Sequence, residues 1–313
     1  MYVVHGSFNG RGFAVISLVV PTFNRAYTLK YVADSYYEQA DVTEIIFVDD
    51  AGDDDTRQLV ELLAERNKNI KTVYLKNPQR QGASYSRLVG VKAASNDLIL
   101  FCDDDDFLAP DYARTCRRKM EEHDASIVSG RHFYRLPGEP VRDAIKRFGC
   151  GITNQRQFDA LRFRLNTDAR FEGDLALPFT HGIYLVRRAL LLQYGLDPYY
   201  SKGNGFREES DVQIRAYLDG HRIVVTNAAH AVHLSPSEVR SGGQRVSRLR
   251  RYYWTVYYTR YFYAKYFNAA RKKLAIPYPM PAAITLYALI EFYVFFVRPC
   301  VILPGYLVQR WRR

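Results

Sequence analysis

The sequence predicts an α/β fold: a mostly parallel sheet flanked by helices, followed by a helical C-terminal extension rich in basic and aromatic residues. Three observations carry this expectation. First, Ala14–Val20, Glu44–Val48 and Leu98–Cys102 are apolar runs of strand length, and each ends in a polar loop. Second, helical patterns separate them. Leu29, Val32, Ala33 and Tyr36 share one face, and Leu59, Val60, Leu62 and Leu63 form another apolar stripe after Thr56. Alternation of strand and helix makes a parallel sheet the economical arrangement. Third, the net charge of +11 is concentrated late, because Glu291 is the only acidic residue from Val239 onward.

Taken in order, the first strand runs into Pro21-Thr22-Phe23-Asn24-Arg25, where a backbone carbonyl and a hydroxyl can meet a nucleobase. The second ends in Asp49-Asp50-Ala51-Gly52-Asp53-Asp54-Asp55. Helix capping near Thr56 is the plain alternative for Asp49 and Asp53. Gly82-Ala83-Ser84 opens a further helix and lets backbone approach a ligand closely. The third strand delivers four adjacent carboxylates, Asp103 to Asp106. Four like charges side by side are unfavourable unless a cation neutralises them, and a hard divalent ion with oxygen ligands can also hold a diphosphate. A solvated acidic turn is the bland alternative. Strand ends of an open α/β sheet are where ligands bind, which favours the ion. No histidine is adjacent to the run, which argues against zinc.

These segments resemble the family-2 glycosyltransferases of GT-A fold, a Rossmann-like architecture. The resemblance rests on Val19–Arg25, Phe47–Asp53, Phe101–Asp111 and a later Phe206-Arg207-Glu208-Glu209-Ser210-Asp211, in that order, and covers roughly Ile16 to His233. It implies transfer of a sugar from a nucleotide diphosphate donor to a hydroxyl acceptor, usually with inversion at the anomeric carbon. It also implies roles residue by residue. Pro21, Thr22, Asn24, Arg25, Asp49 and Asp50 face the nucleotide, with Asp50 reading the edge of the base, which suits uracil or thymine. Arg87 lines up with the arginine preceding the metal motif, although Leu88 stands where relatives often carry Asn. Asp103 and Asp104 lie toward ribose and metal, and Asp105 is the direct ligand of Mg²⁺ or Mn²⁺. Asp106 is expected to cap the turn before Pro110.

The acceptor half is expected after Arg131–Leu177, a stretch without a readable pattern. Phe179–Tyr184 resembles the strand facing the acceptor. Inverting transfer needs a carboxylate to take the acceptor proton. In the family this is the second member of a Glu-Asp pair at a helix start. Here the pair is Glu208-Glu209, which leaves Glu209 as the first choice of base and Glu208 or Asp211 as alternatives. An acidic first turn favouring the helix dipole is the structural alternative, since Asp211, Val212, Ile214 and Leu218 continue at helical spacing. Arg222–Val225 reads as one more strand, leading to His230 and His233. His233 is expected to complete the metal or phosphate site, and Arg245, on a glycine-flanked loop, to clamp a phosphate.

Residues 14–235 are therefore expected to form the catalytic domain, with a nucleotide-sugar half at 14–130 and an acceptor half at 131–235. Residues 236–313 are expected to be membrane-associated. Their Lys, Arg, Tyr and Trp suit an anionic membrane surface better than nucleic acid, because the near-wholly apolar Ala282–Val297 follows them. That run is short of the ~20 residues a span needs, and Arg298-Pro299 is expected to end it. A peripheral or re-entrant contact is favoured over a buried packing helix or a span. The scattered cysteines (Cys102, Cys116, Cys150, Cys300) suit a reducing compartment, and Met1–Gly12 has no signal-peptide pattern. The expected partners are a UDP- or dTDP-sugar, with GDP as an alternative, and a saccharide or lipid-linked acceptor. The expected location is the cytoplasmic face of the inner membrane. Two rival functions are a sugar nucleotidyltransferase and a non-catalytic metal- and membrane-binding module. The former normally carries a glycine-rich phosphate loop, and Pro21–Arg25 contains no glycine.

Overall fold

A computed structural model describes residues 15–148, 156–160, 162–167, 169–202, 205–240 and 246–300. The first part alternates strand and helix: β1 (Ile16–Thr22), α1 (Ala26–Val32), α2 (Asp34–Tyr37), β2 (Val42–Asp49), α3 (Thr56–Arg66), β3 (Lys71–Lys76), α4 (Ala83–Ala93) and β4 (Leu98–Phe101). There follow β5 (Asp106–Leu108), α5 (Tyr112–Glu122), β6 (Ile127–Tyr134), α6 (Val141–Phe148), β7 (Phe158–Asp159), β8 (Arg164–Leu165), β9 (Asp174–Ala176), β10 (Leu185–Arg187) and α7 (Arg188–Tyr194). A 3₁₀ turn (Pro198–Ser201), α8 (Glu208–Leu218), β11 (Ile223–His233), α9 (Arg248–Lys273) and α10 (Met280–Phe292) complete the chain described.

The main sheet has the order β3-β2-β1-β4-β10-β6-β11-β5, with β9 also on β11. Strands β3, β2, β1 and β4 are parallel neighbours. β10 enters antiparallel between β4 and β6, while β6 and β11 run parallel to one another. β5 and β9 pair antiparallel with β11. The apolar strands are continuous because both faces are covered. Along β1, Ile16, Leu18 and Val20 enter one core with Leu29, Tyr36, Val60 and Tyr112. Val19 enters the other, with Val91, Leu191 and Val212. Period-2 alternation thus divides the strands between two helical layers.

Several sequence expectations change here. The stripe at Leu29–Tyr36 is two short helices, α1 and α2. Phe179–Tyr184 is an irregular segment leading into β10, not a strand, although the Phe101 N–H still bonds the Tyr184 carbonyl. The strand expected at Arg222–Val225 continues to His233 through a bulge between Val225 and His230. That bulge explains Gly130: a Cβ there would meet the Ala229 carbonyl oxygen at 2.3 Å, and backbone cannot move aside as a side chain can.

α9 presents Thr255, Tyr258, Phe262, Tyr266, Phe267 and Ala270 inward at helical spacing. Phe262, Tyr266, Phe267 and Ala270 share a core with Ile214 of α8 and with Phe163 and Phe179, so the basic, aromatic segment is seated on the α8 side of the molecule. α10 folds back along α9 through Ala283 and Tyr287. Its helix does not stop at Arg298. A π turn at Tyr293–Val297 precedes Pro299, and helix continues to Cys300. A widened turn relaxes the ladder where proline can supply no N–H. The continuous helix Met280–Cys300 is 21 residues with a mean hydropathy of 1.8, and only 17% of its apolar window is buried. Leu286, Leu289, Phe292, Tyr293 and Val297 are exposed on it.

Candidate active site

Parallel neighbours β2, β1 and β4 bring their C-terminal ends together. Thr22 lies opposite Asp49 in register, and the aspartate run begins two residues past β4. The run is held from below by Tyr36, whose hydroxyl lies 2.7 Å from the Asp103 carbonyl oxygen and 2.9 Å from that of Asp106. Asp104, Asp105 and Asp106 are buried, while Asp103 is partly exposed.

Much of the neutralising charge comes from the chain itself. Arg25 Nη1 is 2.8 Å from Asp104 Oδ1 and 2.6 Å from Asp105 Oδ2. Arg87 Nη2 binds Asp103 Oδ1 at 2.5 Å, and its Nη1 binds Glu208 Oε1. His132 Nε2 is 2.7 Å from Asp106 Oδ1, and His233 Nε2 is 3.4 Å from Asp105 Oδ1. Burial pushes Asp104 up to about 7, against the pull of Arg25. Burial also raises Asp105, despite His233 and Arg25. For Asp106 burial acts upward too, but His132 and His233 outweigh it and hold the carboxyl below its ordinary value. His132 is raised correspondingly, because Asp106 outweighs its own burial. His181 is pushed down to about 3 by burial and by the neighbouring His132.

Asp106 therefore does not serve as a cap before Pro110. It starts β5, sits opposite His233 in the β5–β11 ladder, and is fully buried. Asp105, Asp106 and His233 offer ligand atoms that all lie within 4.8 Å of one another. Asp106 Oδ2 is buried and has no hydrogen-bond partner. An orphaned carboxylate oxygen in such a cluster fits a divalent ion, and two carboxylates with one imidazole suit Mn²⁺ at least as well as Mg²⁺. Asp103 is not among the three; its carboxylate is turned to Arg87.

On the nucleotide side, Asp50 is buried and its carboxylate accepts from the Gln81 N–H (2.8 Å), the Gly82 N–H (2.7 Å) and Asn77 Nδ2 (2.9 Å). It thereby shapes the loop before α4, where Gly82 adopts φ +87° and lies against Ser201. The Thr22 carbonyl accepts from the Asp50 N–H at 2.9 Å. Asp49 accepts from the Gly52 N–H (2.7 Å) and the Tyr74 hydroxyl (2.6 Å). Asn24 exchanges two bonds with Asp53. Neither Asp49 nor Asp53 caps α3; its N-cap position is Asp55, which makes no side-chain cap bond, and Asp54 accepts from the Thr56 N–H and hydroxyl.

On the acceptor side, α8 begins at Glu208 after Arg207, a non-glycine residue in the left-handed region at φ 79°. Contacts from the buried Arg207 guanidinium to the Phe163 and Arg162 carbonyls hold this strained start in place. Glu208 Oε1 is committed to Arg87, while its Oε2 is buried without a hydrogen-bond partner. Glu209 is half-buried, and burial raises its carboxyl above the ordinary value, against the pull of its own backbone bond and Arg87. Asp211 is not brought to the cluster. Its Oδ1 meets Lys265 Nζ (2.7 Å), the Tyr266 hydroxyl (2.9 Å) and the Tyr200 hydroxyl (3.1 Å), joining α8 to α9. Arg245 lies outside the described residues.

Three contributors escaped sequence inspection. Tyr36 showed only as part of an apolar stripe, and its hydroxyl was the overlooked signal. His132 lies in the stretch that has no pattern, and His181 sat in a segment assigned to a strand. Pairing of β6 with β11 brings His132 beside Asp106, and the irregular segment entering β10 brings His181, whose ring lies 4.9 Å from that of His132.

The sheet order and this site define a GT-A fold, as its structural neighbours also indicate. A fragment of S. aureus TarS with UDP-GlcNAc superposes with a TM-score of 0.59 at 19% identity, covering 90% of this chain and 73% of that one. The mannosyltransferase PcManGT from Pyrobaculum calidifontis, with GDP-Man and Mn²⁺, gives 0.60 at 16% identity, covering 95% and 81%. The model of glycosyl transferase family 2 matches residues 17–194, more than half of the chain, and the chain belongs to that family. A GalNAc(5)-diNAcBac-PP-undecaprenol β-1,3-glucosyltransferase of Campylobacter jejuni is 34% identical over 114 residues, 36% of each chain. An uncharacterized glycosyltransferase of Haemophilus influenzae is 28% identical over 130 residues, 41% of this chain and 51% of that one. The match spans about a third to a half of the length of these curated relatives.

Proposed function

We propose that this protein transfers a sugar from a nucleotide diphosphate donor to a hydroxyl of a lipid-linked or saccharide acceptor, with inversion. The observation that carries this is Arg87, one guanidinium bridging Asp103 of the donor-side run and Glu208 at the start of α8. It supports this reading because it joins the end of the donor-side strands to the helix turn that bears Glu209.

In this mechanism Asp50 and Thr22 orient the base, and the Arg25–Asp104 pair borders the ribose and phosphates. Asp105, Asp106 and His233 would hold Mg²⁺ or Mn²⁺. When bound, that ion supplies positive charge to a departing nucleoside diphosphate. Glu209 accepts the acceptor proton; burial raises its proton affinity above the ordinary carboxylate, which suits a general base. Glu208 anchors Arg87 and positions its neighbour. The two solved neighbours carry UDP-GlcNAc and GDP-Man, so both UDP- and GDP-sugars are sensible donors to screen, with dTDP-sugars beside them. Incubating the protein with radiolabelled nucleotide sugars, Mn²⁺ and a lipid-linked saccharide should release nucleoside diphosphate only when donor and acceptor match. Formation of a nucleotide sugar from nucleoside triphosphate and sugar phosphate would instead establish a nucleotidyltransferase.

We also place the Met280–Cys300 helix against a membrane surface, on the cytoplasmic side. Its apolar residues are exposed, and the basic segment before it suits anionic headgroups. Replacing Leu289 and Phe292 by Ser should cut co-sedimentation with phosphatidylcholine vesicles several-fold in high salt, since apolar insertion is not screened. Undiminished sedimentation would show that this face does not insert. Truncation before Pro281 is a poorer test, because it also strips Ala283 and Tyr287 from α9.

A further inference from the structure

The first turns of α9 and the far end of the Met280–Cys300 helix line an open cavity of about 280 Å³. Its polar wall is Arg164, Arg248, Arg251 and Glu291, and its apolar wall includes Val294, Phe295 and Pro299. We propose that this cavity binds the phosphate of an anionic membrane lipid.

The charge on its wall does not cancel. Three guanidinia face one carboxylate, and that carboxylate is poorly placed to satisfy them. Glu291 is 2% exposed, its Oε1 has no hydrogen-bond partner, and Arg164 Nη1 is 3.6 Å away. Arg162 Nη1 is 3.9 Å from the same oxygen. Arg251 lies over the Phe295 ring at 5.4 Å, a cation–π contact between two residues of the cavity wall. Planar guanidinia lining a space of this size match the oxygens of a phosphate ester. Burial also lowers the proton affinity of Arg251, and the nearby Arg164 adds to that effect. An anion in the cavity relieves both costs.

The ligand is a lipid and not a soluble phosphate because of the other wall. Val294, Phe295 and Pro299 continue into the exposed apolar face carrying Leu289, Phe292, Tyr293 and Val297. A phosphate held by the arginines would lay its acyl or prenyl chain along that face. Arg164 contributes from the β7–β8 hairpin, so such a ligand would also tie the hairpin to the two C-terminal helices. The phosphate site rests on the arginines of the wall, and the choice of a membrane lipid as occupant draws on the membrane contact proposed for this helix, not on transfer chemistry.

Calorimetric titration with dihexanoyl phosphatidate below its micelle concentration tests it without a bilayer. The full chain should bind, and Arg248→Gln with Arg251→Gln should weaken binding by about tenfold or more. Glu291→Gln should tighten it, a sign opposite to that of general damage to the fold. Dihexanoyl phosphatidylcholine and inorganic phosphate should each bind far more weakly. Absence of phosphatidate binding, indifference to the arginine pair, or equal affinity for inorganic phosphate each overturns the proposal. Phosphatidate binding by a protein that ignores vesicles would leave the cavity assignment standing and remove the membrane contact instead.

Discussion

Glu209→Gln is expected to lower turnover by ~10²-fold or more while leaving donor affinity nearly unchanged. The substitution keeps the size and hydrogen-bonding capacity of the side chain but cannot take up the acceptor proton. Donor affinity should hold because the nucleotide-facing groups, Asp50, Arg25 and Asp104, are tied to other partners. The pH profile adds a second readout. A base works only when deprotonated, so its rate is present above its pKa and lost as pH falls through it. Burial raises Glu209, so the acid limb of the wild-type profile should lie above the ordinary carboxylate range. That limb should vanish in the variant. Glu208→Gln separates the neighbours: it weakens the tie to Arg87 and should disturb donor binding along with turnover. If Glu209→Gln keeps full activity and Glu208→Gln is dead, the base is Glu208.

Asp105→Ala should abolish transfer and Mn²⁺ binding together, with little change in unfolding midpoint. The fold tolerates it because Arg25 retains Asp104 as a partner. Burial disfavours the charged Asp105, which offsets part of the cost of losing its contacts to Arg25 and His233. Mn²⁺ binding followed by electron paramagnetic resonance gives a readout independent of activity. Asp106→Ala is the informative contrast. It removes the carboxylate facing the buried His132 as well, so the unfolding midpoint should fall too. Undiminished wild-type activity in excess chelator, or full Mn²⁺ affinity in Asp105→Ala, would remove the metal from this mechanism.

The expected carboxylates were legible because they are contiguous and each run follows an apolar strand. Asp49-Asp50 and Asp103 to Asp106 needed no tertiary information to be placed at strand ends, and neither did Glu208-Glu209 at a helix start. The pairings among them were not legible. Arg25 reaches Asp104 and Asp105 across β1–β4 pairing, and Arg87 reaches Glu208 across more than a hundred residues. The distribution of burial was hidden too. Four adjacent aspartates look alike in one dimension, yet Asp103 meets solvent and Arg87 while Asp106 is sealed beside His132.

By itself the sequence determined the strand and helix alternation, the acidic strand ends, and the uneven charge and apolarity of the C-terminal segment. These are local properties, set by the period of apolar residues and by the chemistry of neighbours along the chain. Only the tertiary structure decided which carboxylates gather with His233, that Asp211 belongs to the α8–α9 interface, and that Tyr36 holds the aspartate loop. Those outcomes depend on long-range strand order and helix packing, which bring distant residues within a few ångströms. Such packing also sets the burial that shifts their charge.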